Sequence, residues 1–292
     1  MSNVVKKRIV VCGGNGFLGS RICKFAIARG WDVVSISRSG EPIWSAVTSS
    51  PYAPAWSKSV SWQKADILKP LTYRPFLKDA DAVVHSMGIL LEADYKGVIQ
   101  GRESIVSGLS RAFSAKKEGG THNPLEKDEG EELKSGEKDE QITYELMNRD
   151  SAITLAKEAS LQNTPSFVYI SAAAGAPMLP QRYISTKRQA EAAISSSFPK
   201  MRSLFIRPGF LFDSARKFTL PIAAAGRAGS MINSMLGGRL SPLFGAAVEK
   251  PQKVDDVAEA VVEAIDDEKI KGIITTEQIQ ELAQKAWRRE ML

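Results

Sequence analysis

Short β-branched runs alternate with helically spaced apolar segments, and glycines cluster at the first strand-to-helix junction. Together these predict an α/β fold, a doubly wound and mostly parallel sheet with a small helical lobe at its C-terminal end. The first unit is the clearest. Residues 8–12 form a β-branched run that ends in glycines, 17–29 carry apolar residues at helical spacing, and 32–37 form a second β-branched run after Gly30. This is a βαβ unit of about thirty residues. Further strands are expected at 60–64, 82–86, 167–171 and 204–207, with helical segments between most of them.

Two stretches interrupt the rhythm. Residues 116–140 hold nine acids and five bases with almost nothing apolar, so they are expected to be a disordered surface insertion. Residues 214–248 are rich in Gly, Ala, Leu, Met and Phe, carry Arg216, Lys217, Arg227 and Arg239, and have no acid. On this reading 1–213 form the main domain, and 214–292 form an apolar, basic, mostly helical lobe that completes one unit.

With 43% hydrophobic and 25% charged residues the chain has the composition of a globular protein, and no stretch reaches the ~20 apolar residues of a membrane span. Net charge is +6, and outside the acidic insertion the remaining 34 bases and 24 acids give +10. A basic body suits phosphate-bearing ligands, anionic membranes or nucleic acid. Nucleic acid is not expected, since no RNA module or aromatic platform is present. Cys12 and Cys23 fall on a strand and the next helix, where they read as small buried apolar side chains in a reducing compartment. His85, His122 and two scattered cysteines make no metal site, and P-loop, zinc and nucleophile-elbow spacings are absent. Only seven residues precede the first strand, too few for a recognisable presequence.

Gly13, Gly14, Asn15, Gly16, Phe17, Leu18 and Gly19 satisfy both GxxGxxG and GxGxxG spacing between a strand and a helix, the fingerprint of a Rossmann dinucleotide site. Gly13 permits the tight turn, Gly16 lets the backbone approach a pyrophosphate, and Gly19 lets helix and strand pack closely. Strand two ends in Ser37-Arg38-Ser39 rather than in an acid, while Asp32 lies at its beginning. A guanidinium and two hydroxyls suit a 2′-phosphate, so NADP(H) is expected over NAD(H). Asp66 and Ile67 are expected near the adenine, with an ordinary loop acid the alternative for Asp66, and Ser86, Met87 and Gly88 beside the nicotinamide; His85 borders the same position, but a satisfied structural histidine is its favoured reading.

Ser171 closes a strand, and twelve residues later Tyr183 and Lys187 share one helix face at i, i+4. In hydride-transfer chemistry a tyrosine exchanges a proton with the substrate oxygen, a neighbouring ammonium lowers its pKa, and a serine hydroxyl orients that oxygen. Lys187 also has the reach to hold the nicotinamide ribose. The same residues occur as ordinary helix anchors and solvated faces, so a set that is assembled without being used stays open.

The segments 12–19, 83–90 (Val-Val-His-Ser-Met-Gly-Ile-Leu), 144–148 (Tyr-Glu-Leu-Met-Asn), 183–188 (Tyr-Ile-Ser-Thr-Lys-Arg) and 207–213 (Arg-Pro-Gly-Phe-Leu-Phe-Asp) together carry a resemblance. They resemble the fungal mitochondrial atypical short-chain dehydrogenases associated with coenzyme Q biosynthesis, from residue 8 to about 213 and more loosely beyond 254. That resemblance implies a mitochondrial protein on the matrix side of the inner membrane. Its partners would be ubiquinone-biosynthesis enzymes in a multiprotein complex, and Arg207, Pro208 and Gly209 would join the cofactor site. The wider group is similar to the NADPH-binding accessory subunit of complex I, which implies that the nucleotide can be structural. The acid-free lobe then suits a quinone or lipid ligand and a peripheral membrane contact. Cys12 and His85-Ser86-Met87 depart from the extended dehydrogenases and crowd the cleft. An enzyme and a non-catalytic scaffold therefore both remain open.

Overall fold

The computed structural model describes residues 6–48, 50–89, 123–135, 142–174, 181–213 and 251–291. Seven parallel strands form one sheet in the order β3-β2-β1-β4-β5-β6-β9. They are β1 (Arg8–Cys12), β2 (Asp32–Ser37), β3 (Val60–Lys64), β4 (Ala82–His85), β5 (Ser166–Ile170), β6 (Arg202–Ile206) and β9 (Gly272–Ile274). A separate parallel pair joins β7 (Leu211–Phe212) to β8 (Gln252–Lys253). The order reverses between β1 and β4, the switch point outside whose carboxyl edge open α/β sheets bind ligands.

Alternation along each strand divides the core into two layers. Ile9 and Val11 of β1 face one side with α1 (Phe17–Ala28) and α6 (Val254–Asp266). Val10 and Cys12 face the other, against α3 (Pro70–Leu77), α4 (Ser151–Leu161) and α5 (Gln181–Ser197). The remaining helices are the short α2 (Trp44–Val47) and α7 (Thr276–Glu290), the latter opened by a capping box between Thr275 and Gln278. Strands covered on both faces read as continuous apolar runs, which is why they stood out in the sequence.

The doubly wound expectation therefore holds, with two differences. Residues 123–135 of the charged insertion, expected to be disordered, pack against the body. Leu133 is buried and its N–H donates to Leu68 O at 2.7 Å, Lys157 Nζ donates to Lys127 O at 2.6 Å, and Leu125 joins the second core layer. Two leucines spaced through a charged run were enough to hold it down. Residues 251–291, assigned to an appended lobe, instead complete the main sheet, since β9 pairs with β6 and α6 packs on α1. Residues 116–122 and 136–140, and the lobe proper at 214–248, lie outside the described residues.

A charge network around one buried carboxylate closes the amino-terminal end of the sheet. Glu263, fully buried, accepts from Arg29 Nη2 at 2.6 Å, Arg289 Nη2 at 2.9 Å and Lys285 Nζ at 3.1 Å. Desolvation raises its pKa, but the three cations outweigh it and hold the carboxyl below its usual range.

Candidate functional site

The glycine turn is built as its sequence requires. Gly13 has φ +85, a left-handed conformation that glycine adopts freely, and its N–H donates to Ile36 O at 2.8 Å. Gly13 O accepts from Gly16 N at 2.9 Å, and Gly16 is the N-cap of α1. No side chain caps α1 and its first turn has no acid, so the positive end of a twelve-residue helix is left for an anion. Gly19 is fixed by contact. A Cβ there would stand 2.1 Å from Gly13 O and 2.7 Å from Ser86 Oγ. Gly14 is equally confined, since its Cβ would lie 2.3 Å from Ser35 Oγ. Phe17 and Leu18 form the first turn of α1, with Leu18 buried in the core.

The end of β2 turns back on itself. Ser37 Oγ donates to Gly40 O at 2.8 Å and accepts from Gly40 N at 3.0 Å, so this buried hydroxyl holds the turn. Arg38 and Ser39 form the exposed tip, and Asn15 Nδ2 donates to Ser39 Oγ at 2.7 Å, tying the glycine turn to the β2 turn. Asp66 Oδ1 accepts from Leu68 N at 3.1 Å, an Asx turn that opens towards α3, and Ile67 is buried beside it.

Past β4 the side chains divide between inner and outer positions. His85 is fully buried with Nε2 2.9 Å from Ser151 Oγ, and its Nδ1 has no partner. Desolvation, and then the positive charge of Lys187, pull its pKa down to about 3, so the ring is neutral. Ser86 Oγ donates to Cys12 O at 2.8 Å, and Met87 lies over Gly13, with Cγ 2.7 Å from where a Cβ would stand. Gly88 is exposed and borders Asn148 Oδ1 and Lys187 Nζ, which a Cβ there would meet at 3.1 and 3.6 Å. Of these four, only Gly88 keeps an open face with functional groups behind it.

The predicted serine, tyrosine and lysine gather where β5 ends and α5 begins. Lys187 is 4% exposed and donates to Ile170 O at 3.1 Å, its single acceptor among the described residues. Desolvation drives its pKa down to about 8. Its Nζ lies 5.7 Å from the centre of the Tyr183 ring and 5.2 Å from that of Tyr169. Tyr183 is half-buried, edge-on to Tyr144 at 5.8 Å, and its hydroxyl has no hydrogen-bond partner among the described residues. Burial pushes that phenol up to about 12, and the cation that draws it back is Arg188, not the expected Lys187.

Arg188 was not singled out in the sequence, yet it organises the junction. Its Nη1 donates to Ser171 Oγ at 3.0 Å and to Glu191 Oε1 at 2.8 Å, while Nη2 donates to Ala172 O at 2.7 Å and Ala173 O at 2.9 Å. Glu191 also receives Arg207, so the expected cofactor residue Arg207 has its guanidinium turned to Glu191. Pro208 O accepts from Ala173 N at 2.8 Å, and Gly209 N donates to Gln252 Oε1 at 3.1 Å. Arg207, Pro208 and Gly209 thus brace the loops beyond β5 and β6. Asn148 is a second residue the sequence reading missed. It sits in a π-helical turn, Glu145–Asp150, where its Oδ1 accepts from Ile89 N at 3.0 Å and its carbonyl from the Tyr169 hydroxyl. π-Turns inside helices concentrate at functional sites, but no single-residue preference marks them in a sequence.

These residues fit a nicotinamide dinucleotide. An uncapped helix end would suit its phosphates, exposed Arg38 would suit a charged group at the end of β2, and the buried Lys187 ammonium, with one acceptor among the described residues, has donors for hydroxyls. Residues 9–94 match the NAD dependent epimerase/dehydratase family. MIOREX complex component 2 of Saccharomyces cerevisiae is 35% identical over 288 residues, spanning 93% of this chain and 98% of that protein. An uncharacterized chloroplastic protein of Arabidopsis thaliana is 28% identical over 292 residues, spanning 98% of this chain and 80% of the other. Among solved structures, UDP-glucuronic acid 4-epimerase from Bacillus cereus in complex with NAD superposes with a TM-score of 0.56 at 16% identity, covering 92% of this chain and 76% of that one.

Proposed function

The chain belongs to the family of yeast MIOREX complex component 2, with an NAD dependent epimerase/dehydratase region at 9–94, and from that premise we propose an NADP(H)-dependent oxidoreductase within a mitochondrial ubiquinone-biosynthesis complex. Its substrate would be a quinone-ring intermediate. The name of the yeast relative supports membership of a complex, and the resemblance of the segments at 12–19, 83–90 and 183–188 supports the ubiquinone branch and the matrix face of the inner membrane.

The observation that carries the reading is the junction of β5 and α5. NADPH, if bound by the glycine turn, would supply hydride there, and the rest would fall to the chain. At neutral pH Tyr183 is a phenol, so it serves as a proton donor to a carbonyl oxygen, which favours reduction. Ser171 Oγ accepts from Arg188 and has no acceptor for its own proton among the described residues, so that proton is available to the same oxygen. Lys187, held by Ile170 O, has donors left for ribose hydroxyls.

One observation favours the scaffold reading. Met87 roofs Gly13, and His85 and Ser86 are committed inward, so the wall beside the nicotinamide position is bulky. Restoring a strain that lacks the protein with Tyr183→Phe separates the two. Lost ubiquinone at normal protein abundance supports the oxidoreductase, and full restoration refutes it. Calorimetry with NADPH and NADH tests the cofactor directly. Equal affinity for both would refute the NADP(H) preference.

A further inference from the structure

Beside Arg38 the sheet places a second cation that β2 alone does not reveal. β3 runs parallel to β2 with Lys64 in register opposite Ser37, and Ala65 N donates to Ser37 O at 3.0 Å. Lys64 therefore ends its strand next to the residue that begins the Arg38 turn. Its stem lies along that turn. A Cβ on Gly40 would stand 3.2 Å from Lys64 Cγ and 3.6 Å from Cε, so the glycine makes room for the lysine to run past.

The charge balance at this corner is one-sided. Arg38 and Lys64 are both exposed, and among the described residues neither has a carboxylate within ion-pairing distance. The acid closest in sequence to Arg38 is Glu41, whose Oε1 accepts from Trp44 Nε1 at 2.9 Å. The acid after β3 is Asp66, whose Oδ1 accepts from Leu68 N. Elsewhere the arginines commonly have carboxylate partners, as Arg8, Arg21, Arg29, Arg74 and Arg207 do. Two unpaired cations on adjacent strand ends, beside a hydroxyl at Ser39, make a receptor for a dianion.

We propose that Lys64 is a second reader of the ribose 2′-phosphate, reaching it from β3 while Arg38 reaches it from β2. This rests on the reading that the glycine turn binds a dinucleotide. Arg38 supplies a planar fork and Lys64 a point charge on a flexible stem, so the pair neutralises a phosphomonoester that either alone would leave half-screened.

The test uses 2′,5′-ADP and 5′-AMP, which differ only by the 2′-phosphate, titrated calorimetrically into the full chain. Lys64→Ala is expected to weaken 2′,5′-ADP by about tenfold while leaving 5′-AMP unchanged, and Lys64→Arg is expected to restore most of the loss. The salt dependence of 2′,5′-ADP binding is expected to shallow in the alanine variant. Because Lys64 is exposed at the edge of the sheet, a thermal melt matching wild type accompanies this result. If wild type prefers 2′,5′-ADP and Lys64→Ala binds it as tightly, the proposal is overturned and Arg38 is the reader alone. If wild type binds both nucleotides equally the 2′-phosphate site itself is overturned, and if it binds neither the dinucleotide reading falls as well.

Discussion

Two alanine substitutions in one turn should separate folding from binding. In Gly19→Ala the added methyl would stand 2.1 Å from Gly13 O and 2.8 Å from Gly13 C, more than 1 Å inside van der Waals contact. Gly13 cannot withdraw freely. Its N–H is committed to Ile36 O and its carbonyl to Gly16 N. Overpacking of this kind costs about 1–3 kcal/mol, and a turn hydrogen bond lost in relieving it adds about 1 kcal/mol. At about 2–4 °C per kcal/mol for a domain of this size, the melting point should fall by roughly 5–15 °C. Gly16→Ala is different. Gly16 has φ −83, an ordinary conformation for any residue, and its Cβ would meet one atom, Gly13 O, at 3.1 Å. A reduction of unfolded-state entropy worth about 0.4–1 kcal/mol offsets that contact, so the melting point should stay within about 3 °C of wild type. Yet the methyl would occupy the approach of the pyrophosphate to the helix end, and NADPH affinity should drop about tenfold or more. Scanning fluorimetry and calorimetry on the same preparations read both effects. A Gly19→Ala protein that melts with wild type would refute the packing argument, and a Gly16→Ala protein that binds NADPH normally would refute the assignment of the cradle.

Other outcomes follow from the buried groups. His85 has a folded pKa depressed to about 3 from 6.5, so the stability it contributes is complete above pH 6.5 and is lost as pH falls towards 3. Wild type should lose about 2 kcal/mol more than His85→Gln between pH 6.5 and 5, read from urea midpoints, and parallel curves would contradict the burial. Glu263→Gln leaves Arg29, Arg289 and Lys285 around a neutral amide and should destabilise by about 3 kcal/mol; an unchanged urea midpoint would show that the network contributes nothing. Arg188→Met removes the donors to Ala172 O and Ala173 O and the cation that lowers the Tyr183 pKa. Hydrogen exchange in the segment following β5 should therefore quicken and Tyr183 should ionise at still higher pH, whereas unchanged exchange would remove Arg188 from its organising role.

Strands β1 to β6 were legible because a sheet covered on both faces needs uninterrupted apolar residues, whereas the two- and three-residue strands β7, β8 and β9 are too short to show such a run; the glycine turn was legible because three glycines at fixed offsets have few other uses. What the sequence hid was the direction of polar side chains. Ser37, Ser86 and Arg207 have the right residue types at the right strand ends, yet each turns to a partner within the fold, the Gly40 turn, Cys12 O and Glu191, while His85 against Ser151 is the structural histidine that its position at a strand end suggested. Arg188 was invisible for the converse reason. Adjacent to Lys187 on a helix it points to a different face, and three of its four acceptors come from the loop after β5 and the fourth from the next turn of α5. Lys64 needed the β2–β3 register, and Asn148 needed the π-turn, both of which are tertiary facts. The 123–135 segment misled because composition averages over a window, while Leu133 acts through a single backbone hydrogen bond and one buried side chain.

Lys187 decides whether the β5–α5 junction is worth keeping for stability or for chemistry. A protein that retained the nucleotide only to steady itself needs the glycine turn, but gains nothing from a buried ammonium with one acceptor. The depressed pKa, about 8 against 10.5, measures the penalty of holding that charge in the interior, at most about 3 kcal/mol at neutral pH. A depressed folded pKa means that the group's contribution is fully favourable above pH 10.5 and is lost as pH falls through 8. Lys187→Met keeps the volume and removes the charge, so without nucleotide it should be more stable than wild type at pH 7, and the gap should close as pH rises from 8 to 10.5. That pattern would mark a side chain held against the interest of the fold, as working groups in active sites are. A Lys187→Met protein less stable than wild type at pH 7, with no closing of the gap at alkaline pH, would instead make the lysine a structural cation and turn the balance towards the scaffold.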